Sequence, residues 1–180
     1  MAARDQKVPT LKVLRACYHQ TPSQLKRLAP ESPAEIANMG DSQLYADAFT
    51  LTDINDQKYD RVSRLKGNNE NGDTEFTLDV NTELYPCSIG ERLSLAIASS
   101  LSLDGTKDDS KGWRGVGRGE QTLADEYDYV CHGKVYRFEE GDDENIKVYV
   151  SFGGLLLYMQ GPYRKLTPLR IDYVYLLIKK

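Results

Sequence analysis

Few residues in this chain have the types and spacing that could do chemistry. Cys131-His132 sets a thiol beside an imidazole, the raw material of a nucleophile–base pair. The surrounding residues read as a strand, in which neighbours point to opposite faces. A packed thiol and a surface imidazole is therefore the better reading. The other histidine, His19, lies in an N-terminal appendage. Gly115, Gly117 and Gly119 form G-x-G-x-G, but no helix follows and no Gly-Lys-Ser/Thr completes a phosphate loop; Gly133-Lys134, followed by Val135, fails the same test. The carboxylate pairs Asp108-Asp109 and Asp142-Asp143 sit in loop texture without partners and read as solvated charge. Cys17, Cys87 and Cys131 are far apart and odd in number, which fits neither a disulfide framework nor a C-x-x-C zinc site. No catalytic residue, cofactor or metal is expected, and the thiols read as reduced, in nucleus or cytosol.

The tyrosines are the remaining candidates. Twelve Tyr stand against four Phe and one Trp. A tyrosine ring buries apolar area while its hydroxyl reaches water or a partner, which suits barrel rims and protein interfaces. Rings of this kind also stack bases on open nucleic-acid-binding barrels. Tyr59, Arg61 and Arg64 would form a small cationic-aromatic patch for weak, non-specific nucleic-acid contact; ordinary strand tyrosines are the competing account.

Strands must position these groups. Val148, Val150 and Phe152 alternate with Tyr149 and Ser151; Leu155, Leu157 and Met159 resume the alternation after Gly153-Gly154. Two strands joined by a two-glycine turn make a tight antiparallel hairpin. A lone hairpin is not stable in water, so the chain must supply neighbouring strands. Candidates are Leu44 to Ile54, ending at a turn at Asn55-Asp56, and Tyr59 to Lys66. Further ones are Phe76 to Val80, Arg92 to Leu101, and Tyr127 to Phe138 with a bulge or bend at Gly133. Leu169 to Ile178 closes the series. Val174-Tyr175-Leu176-Leu177-Ile178 is apolar on both faces, which predicts an interior or covered strand. Asn68 to Asp73 and Glu139 to Asn145 read as turns, and residues 102–122 as a long mobile surface loop. Some eight short strands without a βαβ rhythm predict an all-β fold, an eight-stranded antiparallel barrel that leaves no bare edge.

Residues 1–38 read as an irregular, disordered extension to a barrel domain at 39–180. They carry six Lys/Arg against three acids, a balance of +3, which leaves −7 on the rest given the net −4. An acidic body is a poor phosphate binder by net charge. The extension reads as a solvated tail or an upstream addition; a basic targeting or partner-binding arm is the alternative, and Asp5 weakens a mitochondrial version of it. No secretory signal is expected, and no apolar run approaches the ~18 residues a membrane span needs.

Several blocks resemble one family in order: Tyr59 to Leu65, Leu78 to Asn81 with Tyr85-Pro86, Ile97 to Leu101 with Asp104-Gly105, Tyr129-Val130, Gly133 to Arg137, Tyr149 to Leu156, Gln160-Gly161 and Val174 to Lys180. The chain is similar to the small eighth subunit common to the eukaryotic nuclear RNA polymerases I, II and III. That resemblance implies a barrel related to the OB-fold. It also implies a non-catalytic role docked on the largest polymerase subunit, in the nucleus and nucleolus, and weak single-stranded DNA contact through the segment around Asn55–Phe76. The family usually begins near Met39, so residues 1–38 are a departure. A free-standing single-strand nucleic-acid-binding module is the alternative function. The Gly153-Gly154 hairpin, with Tyr149 and Phe152, is the candidate docking edge, because missing side chains let another backbone approach; tightening of the turn alone explains the glycines equally well.

Overall fold

The computed structural model describes residues 42–103, 121–142 and 144–180. The 1–38 extension and most of the expected 102–122 loop lie outside the described residues. Eight strands form the body: β1 (Gln43–Tyr59), β2 (Val62–Asn69), β3 (Glu75–Asn81), β4 (Arg92–Ala98), β5 (Tyr129–Glu140), β6 (Asn145–Phe152), β7 (Leu155–Pro162) and β8 (Tyr173–Lys179). They close into an antiparallel barrel in the order β1-β2-β3-β7-β6-β5-β8-β4. A 3-10 turn, Leu123–Glu126, and one helical turn, α1 (Tyr163–Leu166), complete the described elements.

Alternation builds the core as the sequence predicts. Phe76, Leu78 and Val80 of β3, Leu93, Leu95 and Ile97 of β4, and Val148, Val150 and Phe152 of β6 all point inward. Phe49 and Phe76 meet edge to face at 4.9 Å. Burying each such side chain contributes roughly 2 kcal/mol. Val174 to Ile178 of β8 is buried at every position. Val174, Leu176 and Ile178 face the barrel interior, while Tyr175 and Leu177 lie under a second cluster with Ala96, Ala98, Leu101 and Leu123. The covering layer is the chain leaving β4 and the 3-10 turn, tied by Leu123 N–H donating to Leu101 O at 2.9 Å.

Three local expectations are corrected. The first reversal is not at Asn55-Asp56: β1 runs on to Tyr59, and the chain turns at Asp60-Arg61, with Arg61 at φ 61°. The turn chemistry of Asn55 is real, since its Oδ1 accepts from Gln57 N–H at 3.1 Å. It is absorbed as a register shift inside a strand that keeps pairing. The bulge of β5 falls between Val135 and Arg137, and not at Gly133. Strand pairing also runs further into the expected turns than composition indicates, to Asn69 in β2 and Glu140 in β5.

Gly133 has a different role. β5 pairs with β8 from Tyr129 to Lys134 and with β6 from Lys134 to Glu140, so the two ladders share only Lys134. At this seam the end of β6 lies against Gly133. A Cβ there would fall closer than 3.0 Å to the Ser151 carbonyl oxygen and to Phe152 Cδ1.

A polar cluster fastens α1 to the far end of β2 and β3. Lys165 Nζ donates to Asp73 Oδ1 at 2.9 Å and lies 3.4 Å from Asp47 Oδ2; Asn69 Nδ2 donates to the same two oxygens at 2.6 and 3.0 Å. Partial burial alone would raise the Asp73 pKa, but hydrogen bonds from Lys165, Asn69 and Thr74 outweigh it and hold Asp73 below its usual 3.8. Burial likewise opposes the Lys165 charge and is outweighed by Asp73 and Asp47, which raises Lys165 above 10.5. The depressed carboxylate adds stability above its unfolded pKa and loses it as pH falls through the folded one. The raised ammonium adds stability below 10.5 and loses it as pH rises through its folded pKa. Lys165→Met should therefore cost on the order of 1 kcal/mol between about pH 5 and 9, with the difference shrinking toward pH 3. Urea titrations across pH check this, and a pH-independent difference would refute it.

Candidate docking surface

The hairpin of β6 and β7 forms as read from its glycines. Gly153 and Gly154 take φ 64° and 106°, and Phe152 pairs with Leu155 across the turn. Both glycines are exposed, and an added Cβ at either would meet nothing within 4 Å. The tip is therefore bare in this chain, and its backbone is reachable from outside.

The two candidate side chains nearest the tip part company. Phe152 is 5% exposed and packs into the barrel core, so it anchors the tip from inside and presents only backbone outward. Tyr149 stands on the outer wall. Its ring lies 5.3 Å from Tyr158 on β7 and 6.3 Å from Tyr136 on the β5 bulge, with the Arg137 guanidinium 5.8 Å from its centroid. Tyr149 Oη donates to Glu139 Oε2 at 2.6 Å. That bond, with partial burial and the carboxylate charge, pushes the phenol up to about 12. Tyr158 Oη donates to Gln160 Oε1 at 2.5 Å. These two hydroxyls are thus spent within the chain, and what Tyr149 and Tyr158 offer outward is ring surface. Exposed Leu156 extends it toward the tip.

The row Tyr136–Tyr149–Tyr158 was not legible as a row from composition. A signal did exist: counting outward from the Gly153-Gly154 turn pairs Tyr149 with Tyr158, and that is the observed register. Tyr136 joins only because of the bulge, which no residue type in β5 announces.

The candidate nucleic-acid residues cluster at the β1–β2 reversal, but their charges are already engaged. Arg61 lies 3.4 Å from Glu83 and 3.6 Å from Asp60. Arg64 makes a two-pronged contact with Asp79, Nε to Oδ1 at 2.7 Å and Nη2 to Oδ2 at 3.0 Å. The bond to Asp79, against partial burial, raises the Arg64 pKa further. Tyr59 is 51% exposed at the end of β1. A phosphate approaching Arg64 would have to compete with a nearly buried carboxylate in ideal fork geometry.

Sequence reasoning missed Asp79. It sits on the outer face of β3, yet is 5% exposed. Its Oδ2 also accepts the Leu156 N–H at 3.3 Å, just where the β3–β7 ladder ends at Leu78↔Leu157. One carboxylate thus links β2, β3 and β7. Cys131 and His132 take opposite sides of β5. The thiol packs against the core and burial pushes it up to about 11, while the imidazole stacks on Tyr173 at 5.5 Å. Among the described residues no group of three or more His, Cys, Asp or Glu is placed to hold a metal ion, and no helix is long and apolar enough to cross a membrane.

Comparison with known proteins identifies the relatives of this chain. Residues 46–180 match the family model described as RNA polymerase Rpb8. A Saccharomyces cerevisiae protein named DNA-directed RNA polymerases I, II, and III subunit RPABC3 is 40% identical over 142 residues, covering 76% of this chain and 97% of that protein. The Schizosaccharomyces pombe protein of the same name is 39% identical over 142 residues, covering 79% of this chain and all of that protein. An Arabidopsis thaliana protein named DNA-directed RNA polymerases II, IV and V subunit 8B is 38% identical, with 76% of this chain and 95% of that protein covered. The relatives match across nearly their whole length and the family model runs from the first strand to the last residue, so the chain belongs to the RNA polymerase Rpb8 family.

Proposed function

We propose that this chain is a non-catalytic structural subunit of the nuclear DNA-directed RNA polymerases, docked on the largest subunit through the outer wall of its barrel domain, residues 39–180. The observation that carries the reading is the family match over residues 46–180. The geometry agrees with it: the aromatic rings collect on the outer wall, and the core is filled with apolar side chains. Residence in the nucleus, nucleolus included, follows from membership of polymerases I, II and III, the set named for the yeast relatives.

Within this reading the bare Gly153-Gly154 tip and the Tyr149 ring are the docking edge, with Phe152 holding the tip rigid from the core. Contact with single-stranded DNA through Tyr59, Arg61 and Arg64 draws less support, because both guanidinium groups already have carboxylate partners. The paired charges and acidic body also disfavour a free-standing nucleic-acid module.

Affinity purification of the tagged full chain, with the largest subunit quantified by mass spectrometry, tests this. The wild-type chain should bring down the polymerase. Gly153→Asn keeps a residue that tolerates a left-handed conformation, so it should fold while cutting recovery of the largest subunit at least about fivefold. Undiminished recovery with the folded variant would remove the hairpin from the interface. A wild-type chain that brings down no polymerase subunit would overturn the structural-subunit reading itself.

A further inference from the structure

The barrel is closed, yet among the described residues one stretch of β5 has a strand partner on one side alone. β8 leaves β5 at Lys134↔Tyr173, and no described strand pairs with that side of β5 from Arg137 to Glu140. Two backbone bonds fix which groups face outward. Val135 N–H donates away from β6, to Asp172 O at 3.0 Å, and Gly141 N–H donates toward it, to Asn145 O at 2.9 Å. Alternation then turns Arg137 and Glu139 toward β6 and leaves the N–H and C=O of Phe138 and Glu140 on the open side.

The surroundings of this edge are those of an interface. At its near end stand the exposed apolar residues Tyr136, Ile171 and Tyr173, the last two flanking Asp172. At its far end stand the exposed carboxylates Glu140 and Asp142, while Glu144, Tyr163 and Arg164 share a pocket with Glu140 on the β6 side of the strand. Among the described residues around this end of the strand, Glu140, Asp142 and Glu144 outnumber Arg164. A cluster of exposed carboxylates at the end of an open edge suits a Lys or Arg side chain, its stem along the strand and its head on the acids.

We infer that β5 accepts a ninth strand: an extended segment of the largest polymerase subunit that bonds to Phe138 and Glu140. That segment carries an apolar residue at the Tyr136 end and a Lys or Arg about four residues away, the spacing that ~3.3 Å per residue sets along the edge. The inference rests on the polymerase-subunit reading and specifies the partner's chemistry at a second place on the wall.

Amide hydrogen exchange with residue-level mass spectrometry tests it, comparing the free full chain with the chain in purified polymerase. Arg137 and Glu139 should be protected in both. Phe138 and Glu140 should exchange freely in the isolated chain and slow by about 100-fold or more in the assembly. Equal rates in the two states would overturn the added strand, and so would protection already present in the free monomer, which would mean that the chain covers its own edge. Protection that appears on self-association of the free chain would assign the edge to a second copy. Charge reversal, Glu140→Lys with Glu144→Lys, should lower recovery of the largest subunit at least about fivefold; unchanged recovery would overturn the basic occupant. If the wild-type chain assembles and these amides do not respond, the inference fails alone. If it does not assemble, both readings fail together.

Discussion

Replacing Gly133 with valine should destabilise the barrel by about 4 kcal/mol, a large part of what a domain of this size has. The site offers no room, because the first added carbon falls on a carbonyl oxygen of β6 and a ring carbon of Phe152. Phe152 is core-packed and its neighbour's carbonyl belongs to a paired strand, so neither can step aside cheaply. Backbone displacement at the seam would strain both ladders, since Lys134 alone belongs to each. Gly133→Ala should cost about 2–3 kcal/mol by the same contacts. Gly72→Asn is the control: its φ is 69°, nothing lies within 4 Å of its added Cβ, and asparagine tolerates that conformation. Urea unfolding followed by circular dichroism separates the cases, and a Gly133→Val protein within about 1 kcal/mol of the parent would refute the steric account.

Asp79→Ala should be the next most damaging change, at about 3 kcal/mol. It removes the fork partner of Arg64 and the acceptor of Leu156 N–H in one step. The Arg64 side chain is 35% exposed, so water would recover part of the loss, which keeps the figure at the low end for a broken buried pair. A double-mutant cycle with Arg64→Leu isolates the pair and should show a coupling of about 1–2 kcal/mol. The remainder of the Asp79→Ala cost belongs to Leu156, whose amide exchange should quicken in the variant. Additive single effects would mean that the fork is incidental.

Much of the barrel was legible because its evidence is local. Period-2 alternation located most of the strands, and the two glycines at 153 and 154 set a hairpin register that the structure reproduces. Val174 to Ile178, apolar on both faces, signals a covered strand, and the second cluster is its cover. What escaped depended on pairing between distant segments. Asn55 signals a turn honestly, but β1 passes from β4 to β2 at Phe49–Thr50, and its ladder with β2 carries it past Asn55 to Tyr59. Gly133 reads as a bulge in isolation; only the meeting of β5, β6 and β8 shows that it is a point of close approach. Asp79 looks like the polar half of an alternating strand, and its burial follows from Arg64, which is a strand away, and Leu156, which is 77 positions along. The candidate docking residues divide in the same way. Tyr149 and the glycines were named, while Tyr136 and Tyr158 needed the register, and Phe152 turned its ring inward.

The ring order also bears on biosynthesis. β8 fills the slot between β4 and β5, so the cylinder has no closed form until residues 173–179 have left the ribosome. Until then a nascent chain carries two hydrogen-bonding margins with nothing between them, the kind of surface that recruits chaperones or sticks to its neighbours. β8, buried from Val174 to Ile178, therefore acts as the keystone of the ring.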